Sequence, residues 1–400
     1  MSDFQVGFLA AEKADESSHL SMESGVEPEP VKTPSKRHRC AACFKQYKRK
    51  DHLIWHMKTS YHSVHQPKCG VCEKHCKSFE SLREHLTGPL PKGNCSKMFA
   101  EKGCDLCMKI FDSSDAASTH KEACRLPPPV PIATILSDSA GSQNKMSSSF
   151  NGCIAADSKA VAMDCEMVGG GSDESVDICA RVCLVDDAEN LVFHAYVQPA
   201  SPVTNYRHEV TGLTAEHLQD AMPLEEVQAK IKEILYNGEI LGRVRMNSGK
   251  ARLLVGHDLE HDLESLGLSY PDHLLRDTAK YPPLMKTNLV SHSLKYLTQT
   301  YLGYTIQAGI HDPFEDAISA MRLYKRMCAQ VHQLEGLAIN DTNYHTQSFI
   351  SVFELKRQRE LDKMSPDELF ELSRPNYRCW CLDSRTSIQE QSNTNPWGSW

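Results

Sequence analysis

The stretch Val161-Ala-Met-Asp164-Cys-Glu166-Met-Val168 reads as a buried strand that carries two acids. Asp and Glu are depleted in strands, so their presence needs a physical reason. Side chains alternate along a strand, so Val161, Met163, Cys165 and Met167 share one face while Ala162, Asp164, Glu166 and Val168 share the other. Both carboxylates therefore point the same way. Two like charges about 6.5 Å apart repel by roughly 2–3 kcal/mol at an effective dielectric of about 20. A bound cation reverses that sign, and an exposed edge strand also tolerates it. The two-acid pattern alone weighs these readings equally, and partners elsewhere must decide.

Two further acids are out of place. In His257-Asp258-Leu-Glu-His-Asp262-Leu-Glu-Ser-Leu266, the residues Leu259, Leu263 and Leu266 mark the buried stripe of a helix, and Asp262 flanks it. Glu260, His261 and Glu264 take the solvent side, and Asp258 reads as favouring the helix dipole sooner than as a ligand. A last helix is announced by Asp312-Pro313-Phe-Glu315, with Asp312 as N-cap, Pro313 at the first helical position and Glu315 completing a capping-box-like pair. Glu315, Ser319, Arg322 and Arg326 form its expected solvated stripe, whereas Asp316 lines up with Ala320, Leu323 and Met327. Three acid sites set against apolar neighbours point to a metal cluster over three separate satisfied core acids.

At 400 residues and 40% hydrophobic content the chain has room for two or three domains but is lean for a uniformly packed one. Its start lacks the basic segment and apolar run of a secretory signal, and no stretch reaches the ~18 apolar residues of a membrane span. These features predict a soluble intracellular protein with no membrane partner. Sixteen cysteines in a reducing compartment point to zinc before disulfides. A net charge of -8 argues against a protein that coats nucleic acid all over, but the sign is unevenly distributed.

Residues 1–35 read as a disordered acidic head. From Lys36 the sign flips, and Lys36-Arg37 with Lys48-Arg49-Lys50 resembles a bipartite nuclear-import signal, giving a nuclear expectation; the same charges also suit phosphate contact. Within 36–125 three units repeat: Cys40-x2-Cys43-x12-His56-x5-His62, Cys69-x2-Cys72-x12-His85 with Cys95 as the available fourth ligand, and Cys104-x2-Cys107-x12-His120-x3-Cys124. Zinc needs four soft or borderline ligands in tetrahedral geometry, and this spacing supplies two from a knuckle and two from a helix, so up to three structural Zn2+ ions are expected. Cys76 is left over and reads as a small hydrophobe. The basic first finger favours nucleic acid; the more acidic second and third read as a brace or a protein contact.

Residues 126–158 read as a linker, Pro-rich then Ser-rich, that lets the fingers and the next domain move relative to one another. Residues 159–332 form the second domain. Strand-like runs at 161–168, 177–186 and 191–198 predict an antiparallel meander, followed by a helix over 224–236, a short strand at 253–256 running into a helix, and a last short strand at 273–277. The pattern predicts an α/β mixed sheet flanked by helices, preceded by small zinc-finger modules. The tail, 333–400, reads as partly helical or disordered, and Cys379-Trp-Cys381 as a core or partner contact.

The three acidic elements, Asp164-x-Glu166, Gly256-His-x4-Asp262 and His311-x4-Asp316, resemble the motifs of the DEDDh exonuclease superfamily in their order. Tyr206-Arg-x-Glu-Val-Thr-Gly212, Arg276-Asp-Thr278 and Leu294-Lys-x-Leu-Thr-x2-Tyr-Leu-Gly303 are similar to its RNA exonuclease 4-like branch, and the finger-bearing arrangement resembles plant members. The resemblance implies an RNase H-like fold and 3′-to-5′ hydrolysis to nucleoside 5′-monophosphates. It also implies two Mg2+ or Mn2+ ions held by Asp164, Glu166, Asp262 and Asp316, with His311 as general base. The expected partner is nucleic acid, RNA ahead of DNA, with protein partners through the fingers or tail left open. Two alternatives stand beside this reading: a zinc-finger protein whose nuclease-like domain only binds, and an exonuclease acting mainly on DNA. His194 departs from the branch, which commonly has an acid there.

Overall fold

The computed structural model describes residues 37–40, 43–59, 66–139, 149–154, 157–239, 249–330 and 378–384. The expectations for the acidic head and for most of the tail, and the ligand His62, lie outside the described residues. The first finger is a hairpin of β1 (His38–Arg39) and β2 (Gln46–Tyr47) against α1 (Lys50–Thr59). Three helices follow, α2 (Phe79–Thr87), α3 (Gly93–Lys102) and α4 (Ser114–Cys124), and then α5 (Ile132–Ser139).

The second domain is built on β3 (Ser149–Asn151), β4 (Ala160–Gly170), β5 (Val176–Asp186), β6 (Leu191–Tyr196) and β7 (Val203–Asn205). The chain continues through α6 (His208–Thr211), α7 (Leu224–Tyr236), β8 (Leu253–Gly256), α8 (Leu259–Ser265), β9 (Leu275–Asp277), α9 (Leu294–Leu297) and α10 (Pro313–Cys328). The strands form one mixed sheet in the order β3-β6-β5-β4-β8-β9, with β7 paired to the far end of β4. The meander β4-β5-β6 is antiparallel, while β8 and β9 run parallel to β4 and to each other.

The alternation of β4 decides what lies on each face. Val161 and Met163 pack with Val227, Ile231 and Leu235 of α7 and Leu259 and Leu263 of α8. Each such side chain, fully buried, contributes about 1.5–3 kcal/mol. Ala160 and Ala162 meet Ala317, Ala320 and Met321 of α10 on the other face. Small residues on both partners let helix and strand lie close. At Glu166 the ladder slips: Glu166 pairs with Arg181 and Met167 with Cys179, leaving Ala180 as an extra residue. Such a bulge bends the strand and re-aims the side chains that follow it.

Residues 126–139, expected as part of a mobile linker, are tied to the nuclease-like domain. Leu126 N donates to Leu302 O at 3.0 Å, and Ile132 is buried in the same core cluster as α10. The reason is an unmet demand on α10. Its polar stripe does not face water: Ser319 is 0% exposed, Arg322 Nη1 donates to Pro127 O at 2.6 Å, and Arg326 Nη2 donates to Cys124 O at 2.5 Å. Glu315 likewise does not close a box on Asp312 but lies 3.5 Å from Gln307 N, whose N–H it accepts. At the other end of the chain, residues 378–384 fold back on the sheet. Trp380 stacks on Tyr281 at 3.8 Å, and Asp383 takes both Nε and Nη2 of buried Arg276, at 2.7 and 2.9 Å.

Candidate active site and zinc modules

Asp164 and Glu166 leave β4 on the side covered by α10, as alternation requires, and Asp316 in the first turn of that helix comes down over them. Asp262 enters from α8. All four line one cleft of about 600 Å³ together with His311, His257 and His261. The parts are positioned by local devices. Asp312 Oδ1 accepts Phe314 N–H at 3.1 Å and starts α10 with Pro313 at its first position, which places Asp316 one turn in. His311 is held just outside that helix, its N–H donating to Val210 O at 2.7 Å. The α8 start is capped from outside: Asp277 accepts from Asp258 N at 2.9 Å and Leu259 N at 3.2 Å. Thr278 meets His257 Nδ1 at 2.9 Å and donates to Gly256 O at 2.8 Å. The residues Arg276-Asp-Thr278, which carried a resemblance but no role, thus fasten the second acidic element.

The electrostatics of the acids are dominated by burial and by their neighbours' charge. Burial, then Asp316, Asp262 and Glu166, push the Asp164 carboxyl well above its ordinary range. Burial also drives Asp262 up, and raises Glu166 to about 8 and Asp316 to about 7. Asp262 Oδ2 and Asp316 Oδ1 are buried without a hydrogen-bond partner. Buried acidic oxygens without a partner are costly unless a charge of opposite sign joins them. The donors at the centre are hard carboxylate oxygens, which fit Mg2+ or Mn2+ and not a thiol-preferring metal. His311 is displaced the other way: burial first, and Lys295 second, hold its imidazole below the usual range, which favours the unprotonated form.

Two positioning groups were missed from the sequence. Arg181 is buried opposite Glu166 on β5; its charge opposes the rise of the Glu166 carboxyl, its Nη2 lies 3.7 Å from Asp312 Oδ1, and its Nε donates to His194 Nε2 at 3.0 Å. A lone arginine in an apolar strand, in the same phase as Cys183 and Val185, was the available signal. Gln307 Nε2 donates to Asp316 Oδ2 at 2.7 Å. It lies in a loop, where no periodicity marks it.

In the zinc modules, Cys69, Cys72, His85 and Cys95 come together, as do Cys104, Cys107, His120 and Cys124; Cys40, Cys43 and His56 gather in the first, whose proposed fourth ligand His62 is not among the described residues. Cys95 arrives on the first turn of α3. Sγ to Nε2 separations of 3.0, 3.4 and 3.2 Å link Cys43 with His56, Cys72 with His85 and Cys107 with His120. Tetrahedral ligands bound at about 2.0–2.3 Å sit roughly 3.5 Å apart, so the clusters fit zinc. Cys76 is buried among apolar side chains, which push its thiol up to about 12.

Residues 161–324 match the family model described as RNase_T, exonuclease. RNA exonuclease 4 of Gibberella zeae is 40% identical over 169 residues, covering 42% of this chain and 49% of that protein. RNA exonuclease 4 of Saccharomyces cerevisiae is 38% identical over 184 residues, 46% and 59% of the two chains, and that of Homo sapiens 39% identical over 168 residues, 42% and 36%. The chain spans about half the length of these curated relatives. Among solved structures, the Saccharomyces cerevisiae PAN2 pseudoubiquitin-hydrolase-RNase module has a TM-score of 0.37 at 21% identity, covering 55% of this chain and 35% of that one. The matched span is the one that holds the sheet and the cleft, so the part of the chain similar to an exonuclease domain is the part that gathers the four acids. More narrowly, that span is similar to RNA exonuclease 4 of the relatives just given.

Proposed function

We propose that this protein is a metal-dependent 3′-to-5′ exonuclease that hydrolyses RNA to nucleoside 5′-monophosphates. One observation carries the reading: four acids from three separate elements and His311 line a single cleft, with buried carboxylate oxygens left for cations to satisfy. Asp164, Glu166, Asp262 and Asp316 would hold two divalent ions, which when bound supply Lewis-acid stabilisation of the attacking and leaving oxygens of a phosphodiester. His311 accepts the proton of the attacking water, a task for which a lowered imidazole pKa keeps the base form available. Gln307 and Arg181 orient the acids, and Asp277 fixes the helix that delivers Asp262. RNA as substrate is supported by the names of the relatives. The basic first finger, with Arg39, Lys48 and Lys50, supports a role in gripping the strand away from the cleft, and Lys36-Arg37 with Lys48-Arg49-Lys50 supports a nuclear location.

Matched RNA and DNA oligonucleotides labelled at the 5′ end, incubated with Mg2+ or Mn2+, test this. The expected result is a ladder shortening from the 3′ end, faster on RNA, with 5′-monophosphates as product. His311→Ala should slow release by about 10²–10⁴-fold, and Asp164→Asn should reduce it to background. Binding without shortening would favour a nuclease-like domain that only binds; faster shortening of DNA would reassign the substrate.

A further inference from the structure

The acids and His311 leave unexplained why two of the three zinc modules are fused to the nuclease domain. Phe79, Leu82 and Leu86 of α2 and Phe99 of α3 lie in one buried core with Tyr301 and Leu302, which belong to the π-helical turn Thr298–Leu302 after α9. The Phe79 ring meets Tyr301 edge-on at 5.9 Å, and Arg83 lies 5.7 Å over the same ring and reaches Thr300 O at 3.5 Å. Glu80 pairs with buried His292, whose ring stacks on Tyr296 at 4.0 Å. The chain leaving the third module is fastened in turn: Arg125 Nη1 donates to Gly303 O at 2.7 Å, and the carbonyl of the ligand Cys124 accepts from Arg326. Among the described residues of the first finger, none belongs to that core.

The segment so clamped begins at the edge of the cleft. Ser293 and Leu294, which line it, open the helix that runs into the π-helical turn. Ile132 N, just beyond the third module, donates at 2.9 Å to Oδ2 of Asp312, the residue between His311 and the helix carrying Asp316. Modules this small do not hold a core without their metal, so zinc binding is folding energy for them.

We propose that the second and third zinc modules are ribs of the nuclease domain, so that zinc at Cys69–Cys72–His85–Cys95 and Cys104–Cys107–His120–Cys124 fixes the segment 293–303, whose first two residues line the cleft, and the first finger is left to reach for nucleic acid. The consequence for catalysis rests on the exonuclease reading, whereas the brace itself is tested without turnover. Zinc content and amide hydrogen exchange are measured on the full chain. Cys107→Ser should lose one zinc and speed exchange of the amides of 294–302 by about tenfold or more; Cys43→Ser should also lose one zinc and leave those amides unchanged. Because Cys107→Ser disturbs a module's own fold, Arg83→Ala with Arg125→Ala, neither a ligand, provides a second arm. It should keep full zinc and still speed exchange in 294–302. Zinc lost from Cys107→Ser with 294–302 still protected, or an unchanged exchange pattern in the double variant, overturns the proposal, whatever the nuclease assay shows.

Discussion

His194 shows how one residue can set a property of the whole domain. It is 1% exposed, its Nε2 accepts from Arg181, its Nδ1 has no partner, and its ring stands edge-on to Tyr196. Burial first, and the Arg181 charge second, lower its pKa to about 3. A base whose folded pKa lies below its unfolded value binds fewer protons when folded, so stability is lost as pH falls through the unfolded value of about 6.5. At pH 5 the loss from this group is about 2 kcal/mol relative to neutral pH. An acid at this position would pair with Arg181 instead. His194→Asp should therefore flatten the fall in melting temperature between pH 7 and 5, measured against wild type; an unchanged pH profile would remove His194 from the account.

At the scale of elements, α6 holds His311, the proposed base, through Val210 O. Gly212 caps α6 at φ +68°, and a Cβ there would lie 2.7 Å from the Ile310 side chain. Gly212→Ala should cost about 1 kcal/mol in backbone strain alone, and by shifting Ile310 it should loosen the bond from His311 N to Val210 O. The measurable result is a fall in kcat larger than the rise in KM; a variant with wild-type kcat would show that α6 does not position His311. The meander, the parallel strands and the span of α7 were legible because periodicity and turn residues are local signals. The acids were legible because each broke its own element's pattern. The bulge at Glu166, the burial of the α10 stripe and the docking of 126–139 were not. Arginines at helical spacing look alike in sequence whether they meet water or the carbonyls of Cys124 and Pro127, which are about 200 residues away.

The whole molecule holds two kinds of candidate metal site: thiol and imidazole clusters that fit zinc, and a carboxylate cluster proposed as the reaction centre. The carboxylate cluster is the central claim, because without a cation its acids repel one another across β4, α8 and α10. The most direct test is the melting temperature of the zinc-loaded full chain with and without Mn2+, compared with an Asp164→Asn, Glu166→Gln variant. Saturation at about 100 times Kd stabilises by about 2.7 kcal/mol, which for a domain of this size raises the melting temperature by roughly 5–10 °C. The account predicts that rise in wild type and its near-complete loss in the double variant. A double variant that responds to Mn2+ as strongly as wild type would contradict it.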